Sequence, residues 1–330
     1  MTDVTVRLDD NLRLLSVVLA ATDFPEKSQA AKPHGTHAHA RATARFVKEM
    51  RSHEAVRGMQ SLLDSGAPLE ALYTLVAHLP WPTLEIEMLP KWVPANWNKH
   101  LADFYGQAKV ADWWKNEAAV WDEAVAQSQR AFADATFKPF LERFVGRVEE
   151  NFVFVPNIGY PSDREIGIRV TTKEKELIAI CPSRRAWGDS PPWPFDEDKY
   201  HMHSVALMQY SRLILLSYLR KHAEKVVEAA KTDLPISDQL KAQYPTWGDQ
   251  FVAIFVAAAI AIYLDGIDPK ESKAYIQSQV KNNQLTILPG TVNVLQRYLK
   301  ERDNGKFESF VDFLPVFPKQ LKVASKIMSI

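Results

Sequence analysis

The chain has little cysteine and little glycine, and each shortage excludes a class of site. Cys181 is the only cysteine in 330 residues, so no intrachain disulfide can form, and its apolar neighbours predict a buried thiol. The 12 glycines form no G-x-S-x-G, G-x-x-x-x-G-K-[ST] or G-x-G-x-x-G motif, which argues against a nucleophile elbow or a phosphate-binding loop. An excess of one charge is also absent, because 40 Lys and Arg balance 40 Asp and Glu. We therefore expect no general nucleic-acid binding.

A zinc-peptidase motif is missing at a place where it could stand. The segment DEDKYHMHSVALMQY leads into a helical pattern, and H-E-x-x-H there would supply two zinc ligands and a general base. If His203 were the second histidine, Lys199 and Tyr200 would occupy the first-histidine and glutamate positions. If His201 were the first, Val205 would stand at the second-histidine position. His201 and His203 are two residues apart, so on a helix they point to different faces and are weak metal candidates. We expect one to line or cap the helix start and the other to be solvated.

The apolar segments predict a protein without a membrane span. The first residues place acids before the first apolar stretch, which does not fit a secretory signal. The longest apolar run, from Phe251 to Leu264, would extend only about 21 Å as a helix, less than the ~30 Å hydrocarbon layer. We expect a helix buried on all sides and a cytoplasmic protein.

The periodicity predicts an α+β fold that is predominantly α-helical. Three short strands, NFVFVP, IGIRV and ELIAIC, predict a small central antiparallel or mixed sheet. Helices are expected at 9–22, 36–65, 68–79, twice or three times within 95–147, and at 198–222, 236–243, 249–264, 270–282 and 291–303. We expect a helical N-terminal region, 1–147, and a region with the sheet and the C-terminal helices, 148–330, unless both form one continuous domain.

Three stretches resemble, in order, a family of uncharacterised bacterial proteins with a gluzincin-like, zinc-peptidase architecture. They are RSHEAVRGMQSLLDSGAPLEALYTLVAHL, then HLADFYGQAKVADWWK with FADATFKPFLERF, and VLQRYLKERDNGKFESFVDFLPVF. The resemblance implies a zincin-like core with a His-Glu helix after the sheet and a glutamate ligand on a second helix. Here the second helix is 249–264, where Val252, Ala253 and Ala257 stand near the ligand position and cannot bind zinc. The resemblance thus implies the fold without the activity.

A second histidine cluster, PHGTHAHARA, contains His34, His37 and His39. Its spacing is compatible with metal binding, but no cysteine or nearby carboxylate completes a ligand set. We expect an exposed, polar helix start with diverging side chains.

The proline-tryptophan segment AWGDSPPWPF is the stronger candidate for binding. Tryptophans held by prolines offer large contact area at low entropic cost, and neighbouring aspartates could bind an amine or a hydroxyl. A second Trp-Gly-Asp sequence, at Trp247–Asp249, stands at the start of the apolar helix. The resemblance implies that this sequence and the proline-tryptophan segment could face the same cleft. The predicted cleft comprises Trp187, Asp189, Trp193, Tyr200, His203, Trp247 and Asp249. The alternative is that the loop plugs the cleft as core, with Asp249 and Asp189 as helix N-caps.

These observations predict a catalytically inactive metallopeptidase homologue that acts as a binding or scaffold protein. No catalytic residue and no cofactor are expected, and the partner would be a peptide, a protein or a glycan. The alternative is a metal-dependent hydrolase with rearranged ligands, using His201, His203 and residues distant in sequence.

Overall fold

The computed structural model describes residues 2–186 and 190–328, and the chain divides into two compact units. The first comprises Met1–Ala135 and Glu150–Gln209, and the second comprises Thr136–Glu149 and Tyr210–Ile330. This division differs from the boundary predicted near residue 147. The strands group with the N-terminal helices, because the sheet's apolar residues share one core with them.

The first unit contains eight of the helices that the described residues form, and they precede most of the sheet in sequence. They are α1 (Asp10–Ala20), α2 (Phe24–Ala31), α3 (Ala38–Phe46), α4 (Glu54–Asp64), α5 (Leu69–Ala77), α6 (Trp97–Gln107), α7 (Val110–Asn116) and α8 (Ala118–Ala131). Nine residues of α1 are buried, and Asp9 caps its first turn by accepting from the Leu12 amide. This helix is therefore a central element of the first unit's core.

The sheet has four strands, β1 (Val4–Val6), β2 (Asn151–Pro156), β3 (Ile166–Thr171) and β4 (Lys175–Cys181). Their order is β1-β2-β4-β3, with β1, β2 and β4 parallel and β3 antiparallel to β4. The central strands β2 and β4 are buried at nearly every position, as their continuous apolar runs favour. Pro156 pairs with Cys181, so β2 and β4 end at the same edge of the sheet.

The second unit is helical in its described part. Helix α10 (Lys199–Lys221) begins in the first unit and continues into the second. The other helices are α9 (Phe137–Val145), α11 (Ala223–Ala229), α12 (Asp238–Gln243), α13 (Trp247–Asp265), α14 (Pro269–Asn282), α15 (Leu288–Asp303), α16 (Phe310–Phe313) and α17 (Phe317–Met328). A cluster of rings forms its core: Phe144, Phe251, Phe255, Tyr298, Phe310, Phe313 and Phe317.

Helix α13 is buried along almost its whole length, as its sequence predicted. Every residue from Phe251 to Leu264 is buried except Ala253, which is partly exposed. The helix has 19 residues rather than the 14 of its apolar run. By length and composition it is the one candidate span in the described part of the chain, but 72% of its most apolar window is buried inside the protein. Such burial is typical of a core helix.

The predicted fold class is confirmed, whereas several element boundaries were wrong. The expected helix 36–65 is interrupted between Phe46 and Glu54, where a 3₁₀ turn at Lys48–Met50 intervenes. Region 95–147 contains four helices rather than two or three. Lys109, which has a positive φ, separates α6 from α7, and Asn96, which also has a positive φ, precedes α6. Five elements were not predicted from the sequence, and four of them have eight residues or fewer: β1, α2, α11, α16 and the longer α17.

Candidate functional site at the ends of two parallel strands

A surface pocket of about 380 Å³ lies in the first unit, beside the ends of β2 and β4. Ile158 follows β2 and Ser183 follows β4, and both line the pocket. In open sheets, ligands bind beyond the carboxyl ends of parallel strands, because the loops there diverge and leave a crevice. The volume is within the range of small-molecule sites, near its lower end.

The loop after β2 is held by its own side chains. Asn157 accepts from the Gly159 amide at 3.0 Å and donates to the Pro161 carbonyl at 2.8 Å. The Asn157 amide donates to the Cys181 carbonyl at 2.9 Å, which ties the ends of the two strands together. Ser16 on α1 accepts from the Tyr160 amide at 2.9 Å. Ile158 therefore stands on a fixed turn rather than on a free loop.

The proline-tryptophan loop forms a second wall of the pocket through Pro192, Trp193, Pro194 and Phe195. Phe195 is buried against Phe154 of β2, and its amide donates to the Gln127 side chain on α8 at 3.0 Å. The Trp193 amide donates to the Arg184 carbonyl at 2.9 Å. The Trp193 indole is nevertheless 45% exposed, so the alternative in which Trp193 plugs a cleft as core is wrong.

The segment that contains His34, His37 and His39, here called the histidine loop, forms a third wall of the pocket. No pattern in the sequence indicated that it would meet the tryptophan loop. His37 lines the pocket, and two residues earlier Gly35 lies directly against the backbone of Ser190. A Cβ atom at Gly35 would clash with the Ser190 carbonyl oxygen. Glycine is required there because the two loops approach too closely for a side chain.

The expectation of an exposed histidine cluster was wrong. His34 and His39 are buried and His37 is partly buried. His34 Nδ1 donates to the Lys32 carbonyl at 2.8 Å, and its Nε2 lies 2.9 Å from the Ser162 hydroxyl. His37 is the N-cap of α3, because its Nδ1 accepts from the His39 amide at 3.1 Å.

His39 has the carboxylate partner that the local sequence did not supply. Its Nδ1 lies 2.8 Å from Glu117, at the start of α8, and its ring contacts Trp113 and Trp121. Burial lowers the pKa of His39 although Glu117 opposes that shift. Burial lowers the pKa of His37 to about 4, with His39 and Arg41 adding to the effect, so His37 is neutral at physiological pH.

His201 and His203, the weak metal candidates, make other contacts in the structure. His203 is fully buried, its Nε2 donates to the Ala131 carbonyl at 2.8 Å, and its ring stacks on Phe132. One of the two was expected to be solvated, and this was wrong: His201 is also partly buried, and burial lowers its pKa to about 4. Among the described residues, no group of three or more His, Cys, Asp or Glu could hold a metal ion.

Of the predicted cleft, only Trp193 belongs to the described lining of this pocket. Trp187 and Asp189 lie outside the described residues. Tyr200 is partly buried with the Lys199 ammonium 5.4 Å from its ring centre, and His203 is in the core. The sequence predicted His37 only as a metal candidate. The lining residues that it did not predict for any site are Ala119, Val120, Glu123, Ala124, Gln127, Ile158 and Ser183.

The second Trp-Gly-Asp is described within its own unit. The Trp247 indole donates to the Thr232 carbonyl at 3.2 Å and stacks on Phe251 at 5.3 Å. One alternative predicted that Asp249 would be the N-cap of α13, and that prediction was wrong. Thr246 is the cap: its hydroxyl accepts from the Asp249 amide at 3.1 Å and donates to the Asp249 carboxylate at 2.6 Å. These contacts stabilise the first turn of the helix.

The comparisons with known proteins found no match for this chain among family models, curated proteins or solved structures.

Proposed function

We propose that the protein is a non-catalytic binding or scaffold protein of metallopeptidase-like ancestry, and that it binds its partner at the pocket beside Trp193. The observation that carries this proposal is the convergence of three loops on one concavity with an exposed indole. Two of those loops, the histidine loop and the tryptophan loop, are far apart in sequence and meet at Gly35 and Ser190. A cytoplasmic location and a peptide, protein or glycan partner are part of the same proposal.

The walls of the pocket are held in place by internal contacts and present an exposed aromatic ring, and both features favour ligand binding. Phe195, Asn157 and the His37 cap hold the loops by buried packing and hydrogen bonds, so little conformational entropy is lost when a ligand binds. An exposed tryptophan provides large contact area, and tryptophan is enriched among the residues that dominate binding energy. The metal-dependent hydrolase alternative has no described ligand group in its favour.

A matched pair of tryptophan variants tests the site. Trp193 and Trp92 are 45% and 47% exposed, and only Trp193 lies in the pocket. We expect Trp193→Ala to lower affinity at least 10-fold on arrays of oligopeptides and oligosaccharides, and Trp92→Ala to leave it unchanged. Since the ring is half exposed, Trp193→Ala should change the free energy of unfolding by about 1 kcal/mol or less. Equal binding by both variants would refute the site, and cleavage of casein by the tag-free protein would refute the non-catalytic assignment.

A further inference from the structure

The polar groups of the Trp193 pocket identify the chemical class of its ligand, if the proposed function is correct. Three side chains in the lining have hydrogen-bonding capacity left over: His37, Ser183 and Glu123. They come from α3, from the chain after β4 and from α8. A ligand that uses all three must bridge three walls of the pocket.

His37 offers one hydrogen-bond donor of fixed orientation. Its Nδ1 accepts from the His39 amide at 3.1 Å, so the proton of the neutral ring is on Nε2. That Nε2–H has no hydrogen-bond partner among the described residues. The ring cannot turn without breaking the cap of α3, so the donor is held in place.

Ser183 offers a group that both donates and accepts. It is only 6% exposed and lines the pocket, and its hydroxyl has no partner in the described part of the chain. The Ser183 hydroxyl itself keeps some accessible surface, so a ligand in the pocket could donate to it or accept from it.

Glu123 is the one formally charged residue in the described lining, and its charge is only partly balanced, because its partner Arg130 also pairs with Asp196 at 2.6 Å. Its Oε1 lies 3.2 Å from the Arg130 guanidinium and accepts from the Gln127 amide at 3.0 Å. Its Oε2 has no partner among the described residues. With His37 uncharged and Glu123 only partly balanced, the pocket disfavours an anion, and it presents a donor, an acceptor and a hydroxyl to a ligand.

The apolar part of the lining complements these groups. The lining also contains the apolar Val120, Ile158 and Pro192, and the Arg184 guanidinium lies 5.9 Å from the centre of the Trp193 ring. A flat aromatic face favours contact with weakly positive C–H groups, because the face of its π system is negative. The ligand therefore needs an apolar C–H face and several hydroxyl groups around its edge.

We propose that this pocket binds a neutral, hydroxyl-rich ring, a mono- or disaccharide unit stacked on Trp193 and hydrogen-bonded to His37, Ser183 and Glu123. Each sugar hydroxyl can donate and accept, which matches the mixed set of protein groups. A pocket of about 380 Å³ limits the recognised unit to one or two rings. An anionic sugar would place its carboxylate near that of Glu123, and we therefore expect it to bind less tightly than a neutral one.

The test uses the full chain and titrates it with neutral trisaccharides (maltotriose, cellotriose and N,N′,N″-triacetylchitotriose), with the anionic sialyllactose, and with a random heptapeptide pool. We expect a neutral sugar to bind, Trp193→Ala to abolish binding, and His37→Asn and Ser183→Ala each to weaken it about 2- to 10-fold. Asparagine keeps the helix cap but removes the imidazole donor. His53→Asn is the matched control, since His53 caps α4 through the same contact, at 3.1 Å to the Ala55 amide.

The outcomes separate this inference from the proposed function. Binding of peptides but not of sugars, abolished by Trp193→Ala, would overturn the saccharide inference and support the binding site. Tighter binding of sialyllactose than of every neutral sugar would also overturn it. If no probe bound, or if Trp193→Ala bound as the wild type does, the site and the saccharide would both be refuted. An effect of His53→Asn equal to that of His37→Asn would overturn the role of His37 as a donor to the ligand, because His53 lies outside the pocket lining.

Discussion

His39 Nδ1 donates a hydrogen bond of 2.8 Å to the carboxylate of Glu117, which lies 78 residues further along the chain. On the other side of the ring, Nε2 lies 3.3 Å from the Thr43 hydroxyl, and that hydroxyl accepts from the Trp113 indole at 3.2 Å. One neutral tautomer satisfies all these contacts, with Trp113 donating to Thr43, Thr43 to His39 and His39 to Glu117. The pair therefore joins α3 to the start of α8, two elements that line the candidate pocket.

Removal of the Glu117 carboxylate should destabilise the protein. Glu117→Ala leaves the buried Nδ1–H of His39 without an acceptor, which costs about 1–3 kcal/mol. Urea unfolding at pH 7.5 measures the change. Glu49→Ala, at an exposed glutamate, is the control and should stay within about 0.5 kcal/mol of wild type. Identical midpoints for both variants would show that the pair contributes nothing.

Stability should fall as the pH is lowered from 7.5 to 5. His37 and His201 have pKa values of about 4 in the folded protein, below the ordinary 6.5, because burial disfavours the charged ring. Between those values the unfolded chain binds more protons, so the stabilisation is complete above pH 6.5 and is lost as the pH falls toward 4. We expect a loss on the order of 1–2 kcal/mol per histidine by pH 5.

The variant His37→Asn separates this effect from general acid sensitivity. It retains the cap of α3 and removes one titrating ring, so its stability should depend less steeply on pH than that of the wild type. Urea unfolding at pH 7.5, 6.5, 5.5 and 5.0 gives both slopes. Parallel curves would contradict the lowered pKa of His37.

Gly35 should tolerate no side chain. Gly35→Ala places a Cβ against the Ser190 carbonyl and forces the histidine and tryptophan loops apart, at a cost of about 1–3 kcal/mol. Gly106→Ala, in an open position on α6, should instead be neutral or stabilise by up to about 1 kcal/mol. Thermal unfolding of both variants checks the contrast. A fully stable Gly35→Ala variant would mean that the loops do not touch.

The core helix α13 should not accept a charge. Ala258 is fully buried, and Ala258→Glu would bury an unpaired carboxylate at a cost of several kcal/mol. We expect unfolding or loss of soluble expression. Ala223→Glu, at an exposed position of α11 in the same unit, is the control and should express normally. Soluble Ala258→Glu protein with an unchanged melting temperature would show that this face of α13 is accessible.

Elemental analysis of tag-free protein should find no stoichiometric zinc. The Nε2 of His203 is engaged by the Ala131 carbonyl in the core, and the buried Val252 and Ala257 supply no ligand on α13. A chelator should therefore leave the melting temperature unchanged. About one zinc per chain, lost in His203→Ala, would contradict the non-catalytic proposal.

Local sequence determined the elements whose signals are strong and continuous. The runs NFVFVP and ELIAIC became the central strands, and the apolar stretch at 251–264 became a core helix, because burial on every side leaves no polar face in the sequence. Gly66 follows the end of α4 with a φ of +80°, a conformation that glycine adopts readily just after a helix. The three-residue β1 carries too few residues for a pattern, and only its pairing with β2 makes it a strand.

The candidate site, by contrast, was decided by the tertiary structure. The tryptophan loop could be recognised as rigid and aromatic, but its exposure depends on Phe195 packing on Phe154, which periodicity does not reveal. The sequence predicted an exposed histidine loop because Glu117, the carboxylate partner of His39, is distant in sequence. A pocket needs side chains from several segments at once, and the physical reason for their meeting is the parallel pairing of β2 with β4, which brings both strand ends to one edge. Sequence alone specified the strands, and the register between them placed Ile158 and Ser183 in one pocket.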